Sequence, residues 1–296
     1  MKICLTINSS PWSIFKGGGQ LAVHHLACAL FSKGHQVHVL YSKYSHEQFN
    51  IDVPYKIHWV NHHDFATVNL NIFSFSRVLG PLTKKEKFDV IHGNAEESYW
   101  TGKISKKNKS IYVFTSHTPN IPTTGMLKGI NRPVRFLKSI NTYFLRSAII
   151  EADHVVAFSK FSGDLIIKGV GDTCVNKLKI IPPGVESSWF KVERKPSSNS
   201  ELLYWGRLED EKGLPELFHA LEVVSKVIKD INLTIVGEGN RLMDYKSLVA
   251  DLSLTDRVQF MGWLSSSKIQ SLSAQSSLGL FPSRVESFGL SVVEAM

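Results

Sequence analysis

The chain's 296 residues are 43% hydrophobic and 20% charged with 11 prolines, which excludes disorder, collagen and small disulfide scaffolds and leaves one large core or two ordinary ones. The net charge of +8 is unevenly spread: residues 1–200 carry 25 Lys and Arg against 13 Asp and Glu, a net +12, and the remainder carries 9 against 13, a net −4. The basicity therefore belongs to whatever the first part touches, and 11 of the 12 histidines lie there too.

The predicted elements begin with a strand at 3–7 and continue with strands at 37–41, 56–60, 89–92, 111–115, 154–158 and 178–181, alternating with helical patterns as βαβ units in a parallel sheet do. A helix is predicted over 19–33, ended by Gly34 where a left-handed backbone is favoured. A long helix should run from Pro133 to about Ile150. Pro182-Pro183-Gly184-Val185 and the polar run Arg194 to Ser200 read as a linker, dividing the chain into 1–196 and 197–296. A second series follows, with strands at 202–205, 231–236, 257–260 and 277–281 and helices near 213–229, 240–253 and 265–275. The expected fold class is α/β, two Rossmann-like doubly wound domains facing one cleft. Because the chain stops at Met296 inside the opening of an apolar-rich helix, the second domain is expected to be partial.

Cys4, Cys28 and Cys174 form no metal or disulfide framework and fit a reducing compartment. No run approaches the roughly 18 apolar residues of a membrane span, so a cytoplasmic location is expected. His24-His25 and His62-His63 show no ligand spacing, and no metal is assigned.

Doubly wound sheets bind ligands at the carboxyl ends of strands beside the switch point. In the first domain those ends lead into Gly17-Gly18-Gly19, His92-Gly93-Asn94 and Ser116-His117-Thr118. The glycines lack the dinucleotide and Walker A patterns, but a Gly-rich turn entering a helix lets backbone N–H groups approach an anion. His117 suits a hydrogen bond to a hydroxyl or phosphate, and equally a structural role. In the second domain the loop after the first strand holds Arg207 and Lys212, able to grip a diphosphate or to pair with Glu209, Asp210 and Glu211 between them. The loop after the fourth strand holds Glu286, with Ser287, Phe288, Gly289 and Leu290 at a helix start and Glu294 on that helix. A carboxylate there accepts both hydrogens of a vicinal diol, or is simply a helix residue facing solvent.

Arg135, Lys138 and Arg146 share one side of the helix from Pro133, and Lys103, Lys106, Lys107 and Lys109 form a second basic cluster. These are a solvated face or a contact with anionic lipid headgroups at the inner face of the membrane. No nucleic-acid motif accompanies the charge, and no nucleic-acid partner is expected.

The ordered set of Gly-rich loop, His117, Ser159 after its strand, Pro183-Gly184-Val185, Gly206-Arg207-Leu208 with Lys212-Gly213, Val236-Gly237-Glu238-Gly239 and Glu286-Ser287-Phe288-Gly289 with Glu294-Ala295 resembles glycosyltransferase family 4 over the whole chain. It includes that family's E-x7-E signature as Glu286 to Glu294. The resemblance implies a GT-B fold and transfer from a nucleotide-diphosphate sugar to a glycan or lipid-linked acceptor, with retained anomeric configuration and no obligatory metal or cofactor. It fits polysaccharide biosynthesis at the cell envelope. It implies that Arg207 and Lys212 bind the donor diphosphate, Glu286 the donor sugar and Glu294 the ribose diol, assisted by amides of Ser287 to Leu290. Gly237, Glu238 and the loop after Phe260 would border the base, Gly18 and Gly19 would approach diphosphate or acceptor, and His117 would line the reaction centre. Two other readings stand beside it: a truncated, non-catalytic sugar- or membrane-binding remnant, and a nucleotide-sugar epimerase of similar shape.

Overall fold

A computed structural model describes residues 1–13, 17–62, 71–117, 132–195 and 200–296, with the backbone alone over 132–138. The chain divides into two compact units, Met1–Pro183 and Gly184–Met296.

The first unit runs β1 (Lys2–Ile7), α1 (Gly18–Ser32), β2 (Gln36–Lys43), β3 (Lys56–Asn61), α2 (Asn71–Glu86), β4 (Val90–Gly93), α3 (Thr101–Asn108), β5 (Ile111–Ser116), α4 (Arg132–Glu151), β6 (His154–Ala157), α5 (Lys160–Val170) and β7 (Leu178–Ile180). Among the described residues its seven strands are all parallel in the order β3-β2-β1-β4-β5-β6-β7, a doubly wound sheet whose switch point lies between β1 and β4. A strand covered on both faces is largely apolar on both, and β1 is, save for Thr6, whose buried hydroxyl pairs with that of Ser98 at 3.2 Å. Ile3, Leu5 and Ile7 pack with Val23 and Ala27 of α1, while Cys4 packs with Phe75 and Leu79 of α2 and with Leu40 and Ile91. Each fully buried leucine is worth about 1.5–3 kcal/mol over exposure. Gly34 ends α1 at φ +81°, and Ser159 and Ser162 cap α5 reciprocally. Helix α2 continues through Pro81, which removes the N–H that would reach back one turn.

The second unit runs β8 (Glu201–Trp205), α6 (Leu214–Ser225), β9 (Asn232–Val236), α7 (Leu242–Asp251), β10 (Val258–Phe260), α8 (Ser266–Gln275), β11 (Leu278–Gly279) and α9 (Leu290–Ala295). Its strands are parallel in the order β10-β9-β8-β11, so its switch point lies between β8 and β11.

The linker composition placed the division at 196/197, whereas the compact units divide at 183/184. The reason is packing. Val185, Trp189 and Val192 join the second unit's cluster, the Trp189 and Trp205 rings stack at 5.8 Å, and the Lys195 N–H donates to the Ala274 carbonyl at 2.9 Å. Residues 196–199, His63, Thr118 and 126–128 lie outside the described residues, as do the side chains of Pro133, Arg135 and Lys138.

Candidate active site

In the first unit, Gly19 at the start of α1 lies against the His117 ring, so that a Cβ there would stand 3.4 Å from Nδ1. Helix α1 begins without a side-chain cap or an acidic residue in its first turn, leaving its N-terminal dipole to whatever approaches. His117 Nε2 lies 2.8 Å from Asn94 Oδ1. The Asn94 amide spends its N–H groups on the Thr6 and His92 carbonyls at 2.9 and 3.3 Å, so Oδ1 accepts and His117 carries its proton on Nε2. Burial, with a smaller contribution from His92, pushes His117 down to about 3 and keeps it neutral at pH 7. The structure thus brings together the Gly-rich turn, Asn94 and His117 at the carboxyl ends of β1, β4 and β5.

In the second unit, four loops are stitched at the carboxyl ends of the strands. The Leu208 N–H donates to Glu238 O at 2.9 Å, Gly237 N–H to Gly262 O at 2.8 Å, and Arg284 N–H to Glu211 O at 2.9 Å. Three glycines are required by closeness, Gly239 against the Leu208 backbone among them. A Cβ on Gly237, at φ +140°, would collide with the Gly206 carbonyl, and one on Gly213, at φ +67°, with that of Pro282. Lys212 Nζ donates to Glu286 Oε1 at 2.6 Å, with 15% and 36% of the two side chains exposed. Arg207 pairs with Glu211 at 2.9 Å in the open. Buried Tyr204 donates to the Arg207 carbonyl at 3.0 Å, and burial together with the Glu286 charge raises its hydroxyl. Glu294 Oε2 accepts from the Trp205 indole at 2.8 Å, and Trp205 is itself clamped between Trp189 and Phe281.

Of the residues singled out from sequence, Arg207, Lys212, Gly237, Glu238, Glu286 and Glu294 fall on or beside this one set of loop ends. Ser287, Phe288, Gly289 and Leu290 lie half-buried at the entry to the six-residue helix α9, with Gly289 at φ +82°. Gly18, Gly19 and His117 form the separate grouping of the first unit. Sequence reasoning missed Trp205 and Asn94 as the groups that hold Glu294 and His117. Trp205 was signalled only by its place as the last residue of the switch-point strand. Arg146 departs from the expected basic face, because its Nε donates to the Gly169 carbonyl and closes α5, whereas Lys103, Lys106, Lys107 and Lys109 are exposed as expected.

Residues 16–189 match the family model described as Glycosyltransferase Family 4, and residues 185–296 that of glycosyl transferases group 1. The chain belongs to glycosyltransferase family 4. It is 26% identical to an uncharacterized glycosyltransferase, YqgM, of Bacillus subtilis over 75% of the chain and 60% of that relative. It is 23% identical to the GPI3 subunit of the phosphatidylinositol N-acetylglucosaminyltransferase of Saccharomyces cerevisiae over 94% of the chain and 62% of that relative. The chain thus spans about three fifths of the length of these two relatives. Among solved structures, sucrose-phosphate synthase from Thermosynechococcus elongatus superposes with a TM-score of 0.79 at 18% identity, covering 99% of this chain and 78% of that one. Anabaena HepE in complex with UDP and glucose superposes with a TM-score of 0.72 at 19% identity, over 100% and 78% of the two chains. These likenesses place family 4's two Rossmann-like domains of GT-B type in this chain.

Proposed function

We propose that the protein transfers a sugar from a nucleotide-diphosphate sugar to a hydroxyl of a glycan or lipid-linked acceptor, with retention at the anomeric carbon. The observation that carries this reading is the Lys212–Glu286 pair, which stations an ammonium at the switch point of the second sheet on the same loop as Arg207. The transfer breaks the bond from the anomeric carbon to the diphosphate and leaves growing negative charge on the departing nucleotide. Fixed cations stabilise that charge without having to reorganise as it develops. Lys212 and Arg207 supply them, so turnover is expected to need no metal. Glu286, beside Lys212, meets the donor sugar hydroxyls, and Glu294, oriented by Trp205, takes the ribose diol. Gly237 and Glu238 border the base. The acceptor hydroxyl attacks from the face the nucleotide leaves, passing its proton to the departing diphosphate oxygen as its bond to the anomeric carbon forms, and His117 of the first unit, neutral with its Nε2 proton on Asn94, serves as a hydrogen-bonding group rather than as an acid. The UDP and glucose in the HepE complex and the inositol lipid in the yeast relative's name support a nucleotide donor and a lipid-linked acceptor.

Among the described residues no helix is long and apolar enough to cross a membrane. Lys103, Lys106, Lys107 and Lys109 instead meet an anionic lipid surface, each worth about 1 kcal/mol near such a membrane. The test is a panel of UDP-, GDP- and ADP-sugars, with release of nucleoside diphosphate and the anomeric proton of the product read by NMR in the presence of EDTA. A retained configuration and EDTA-insensitive turnover are expected. An inverted product, or no release from any donor, sinks the reading.

A further inference from the structure

The loop after β8 carries both cations of the proposed transfer, yet the two are not held alike. Lys212 is tied through its ammonium to Glu286, on the loop that follows β11. Among the described residues the Arg207 guanidinium meets only Glu211, which rides on the same loop, so its side chain has no anchor outside that loop. Where the guanidinium stands is therefore decided by the backbone beneath it.

That backbone is held carbonyl by carbonyl. The Arg207 carbonyl accepts the Tyr204 hydroxyl at 3.0 Å, the Leu208 carbonyl the Arg241 N–H at 3.2 Å, and the Glu209 carbonyl the Tyr245 hydroxyl at 3.0 Å. The two phenols come from different elements, Tyr204 from β8 and Tyr245 from α7. Their side chains are buried in one apolar cluster with Leu208, Leu214 and Phe218, and the Phe218 and Tyr245 rings meet edge to face at 5.9 Å. Packing thus fixes the body of each ring and lets its polar tip hold a backbone atom in a set place. The fit under the loop is close, because a Cβ on Gly206 would stand 2.8 Å from the Tyr204 hydroxyl. Burial raises both phenols above their ordinary value, so each stays an O–H donor at neutral pH. Phenylalanine would serve the packing at either position. The hydroxyls are spent on this loop.

We infer that Tyr204 and Tyr245 are positioning residues whose hydroxyls set the place of Arg207 against the departing diphosphate. The inference rests on the transfer proposed above. Removing a hydroxyl keeps the core packed but frees the carbonyl above it, and a cation displaced from its place stabilises the leaving group less. Tyr204→Phe and Tyr245→Phe should each lower kcat about tenfold and move the donor KM by less than about twofold, since the charge they serve grows during transfer.

Kinetics of the full chain on the UDP-, GDP- and ADP-sugar panel, with thermal melts and with Tyr204→Phe also built on Arg207→Ala, test the inference. On Arg207→Ala the tyrosine change should cost less than about twofold, because the group it places is gone. A purely structural role gives equal losses in the two backgrounds. If Tyr204→Phe unfolds the chain, Tyr245→Phe is read in the same cycle. Equal losses, or no loss in the parent background, overturn the inference and leave the transfer standing. Hydrogen exchange without ligand reads the support itself. The Leu208 amide, which donates to the Glu238 carbonyl at 2.9 Å, should exchange about tenfold faster in Tyr204→Phe while the β9 amides keep the parent's rates. Unchanged exchange at Leu208 overturns the inference whatever the donors do. If the parent turns over no donor, the transfer falls and the positioning role with it, and a faster Leu208 amide then leaves the hydroxyls as supports of the loop alone.

Discussion

Lys212 and Arg207 sit on one loop but are held differently, and that difference separates catalysis from stability. Lys212 is 15% exposed and fixed on Glu286, whereas Arg207 is 58% exposed and rides with Glu211 on the surface. An exposed pair contributes about 0–1 kcal/mol, so Arg207→Ala should melt like the parent. Both Arg207→Ala and Lys212→Ala should nevertheless lower turnover on the order of 10²-fold or more, because each removes a preorganised charge from the leaving diphosphate. Turnover measured beside the melting curve checks this. An Arg207→Ala variant that is folded and as fast as the parent would take the arginine out of the chemistry. Lys212→Ala also strands Glu286, so the Lys212→Ala/Glu286→Ala double variant should lose less than the two single losses combined.

The loops of the second unit depend on backbone contacts that admit no side chain. Gly237→Ala forces a Cβ against the Gly206 carbonyl at φ +140°, and should destabilise the second unit by about 2–4 kcal/mol. Gly18→Ala is the control, since a Cβ there meets nothing within 4 Å and should shift stability by less than about 0.5 kcal/mol. Hydrogen exchange of the β8 and β9 amides reads the first, and equal protection in both variants contradicts it. These elements also show what the sequence discloses. Strands such as β1 and β9 were legible because burial makes a short, mostly apolar run, ICLTI in one and LTIV in the other, and Gly34 was legible because one turn needs one residue type. The domain boundary was not, because polar composition around residue 196 is local, whereas the stacking of Trp189 on Trp205 that decides it is not. Within the site, the residue types were legible one by one. Lys212 with Glu286 and Trp205 with Glu294 are 74 and 89 positions apart, and nothing in local pattern pairs them.

At the scale of the whole molecule, the titrating groups are segregated, and the two units should answer pH differently. In the first unit burial lowers His38 and His92 to about 4 and His117 to about 3, and it lowers His58 as well. These imidazoles titrate near 6.5 when unfolded, so their stabilising neutrality is complete above about pH 6.5 and is lost as pH falls toward 4. Each can cost up to ~1.4 kcal/mol per pH unit in that window. Glu97 works in the opposite sense. Burial raises it to about 8 from 4.5, so the folded unit keeps a proton that the unfolded chain releases, and stability falls as pH rises from 4.5 through 8. Below pH 6.5 several histidines outweigh one glutamate, and above it only the glutamate acts, which puts the first unit's maximum near pH 6.5. The second unit has a single histidine, His219, exposed on α6, and should change less over the same range. Acid also charges a part of the chain that already carries +12, adding self-repulsion to the cost. Hydrogen exchange at pH 5, 6.5 and 8, corrected for intrinsic rates and read separately for β1, β4 and β5 and for β8 and β9, should show the first unit losing protection on both sides of pH 6.5. Glu97→Gln should flatten the alkaline side alone. If the strands of the second unit lose protection first at pH 5, the acid response does not originate in these buried histidines.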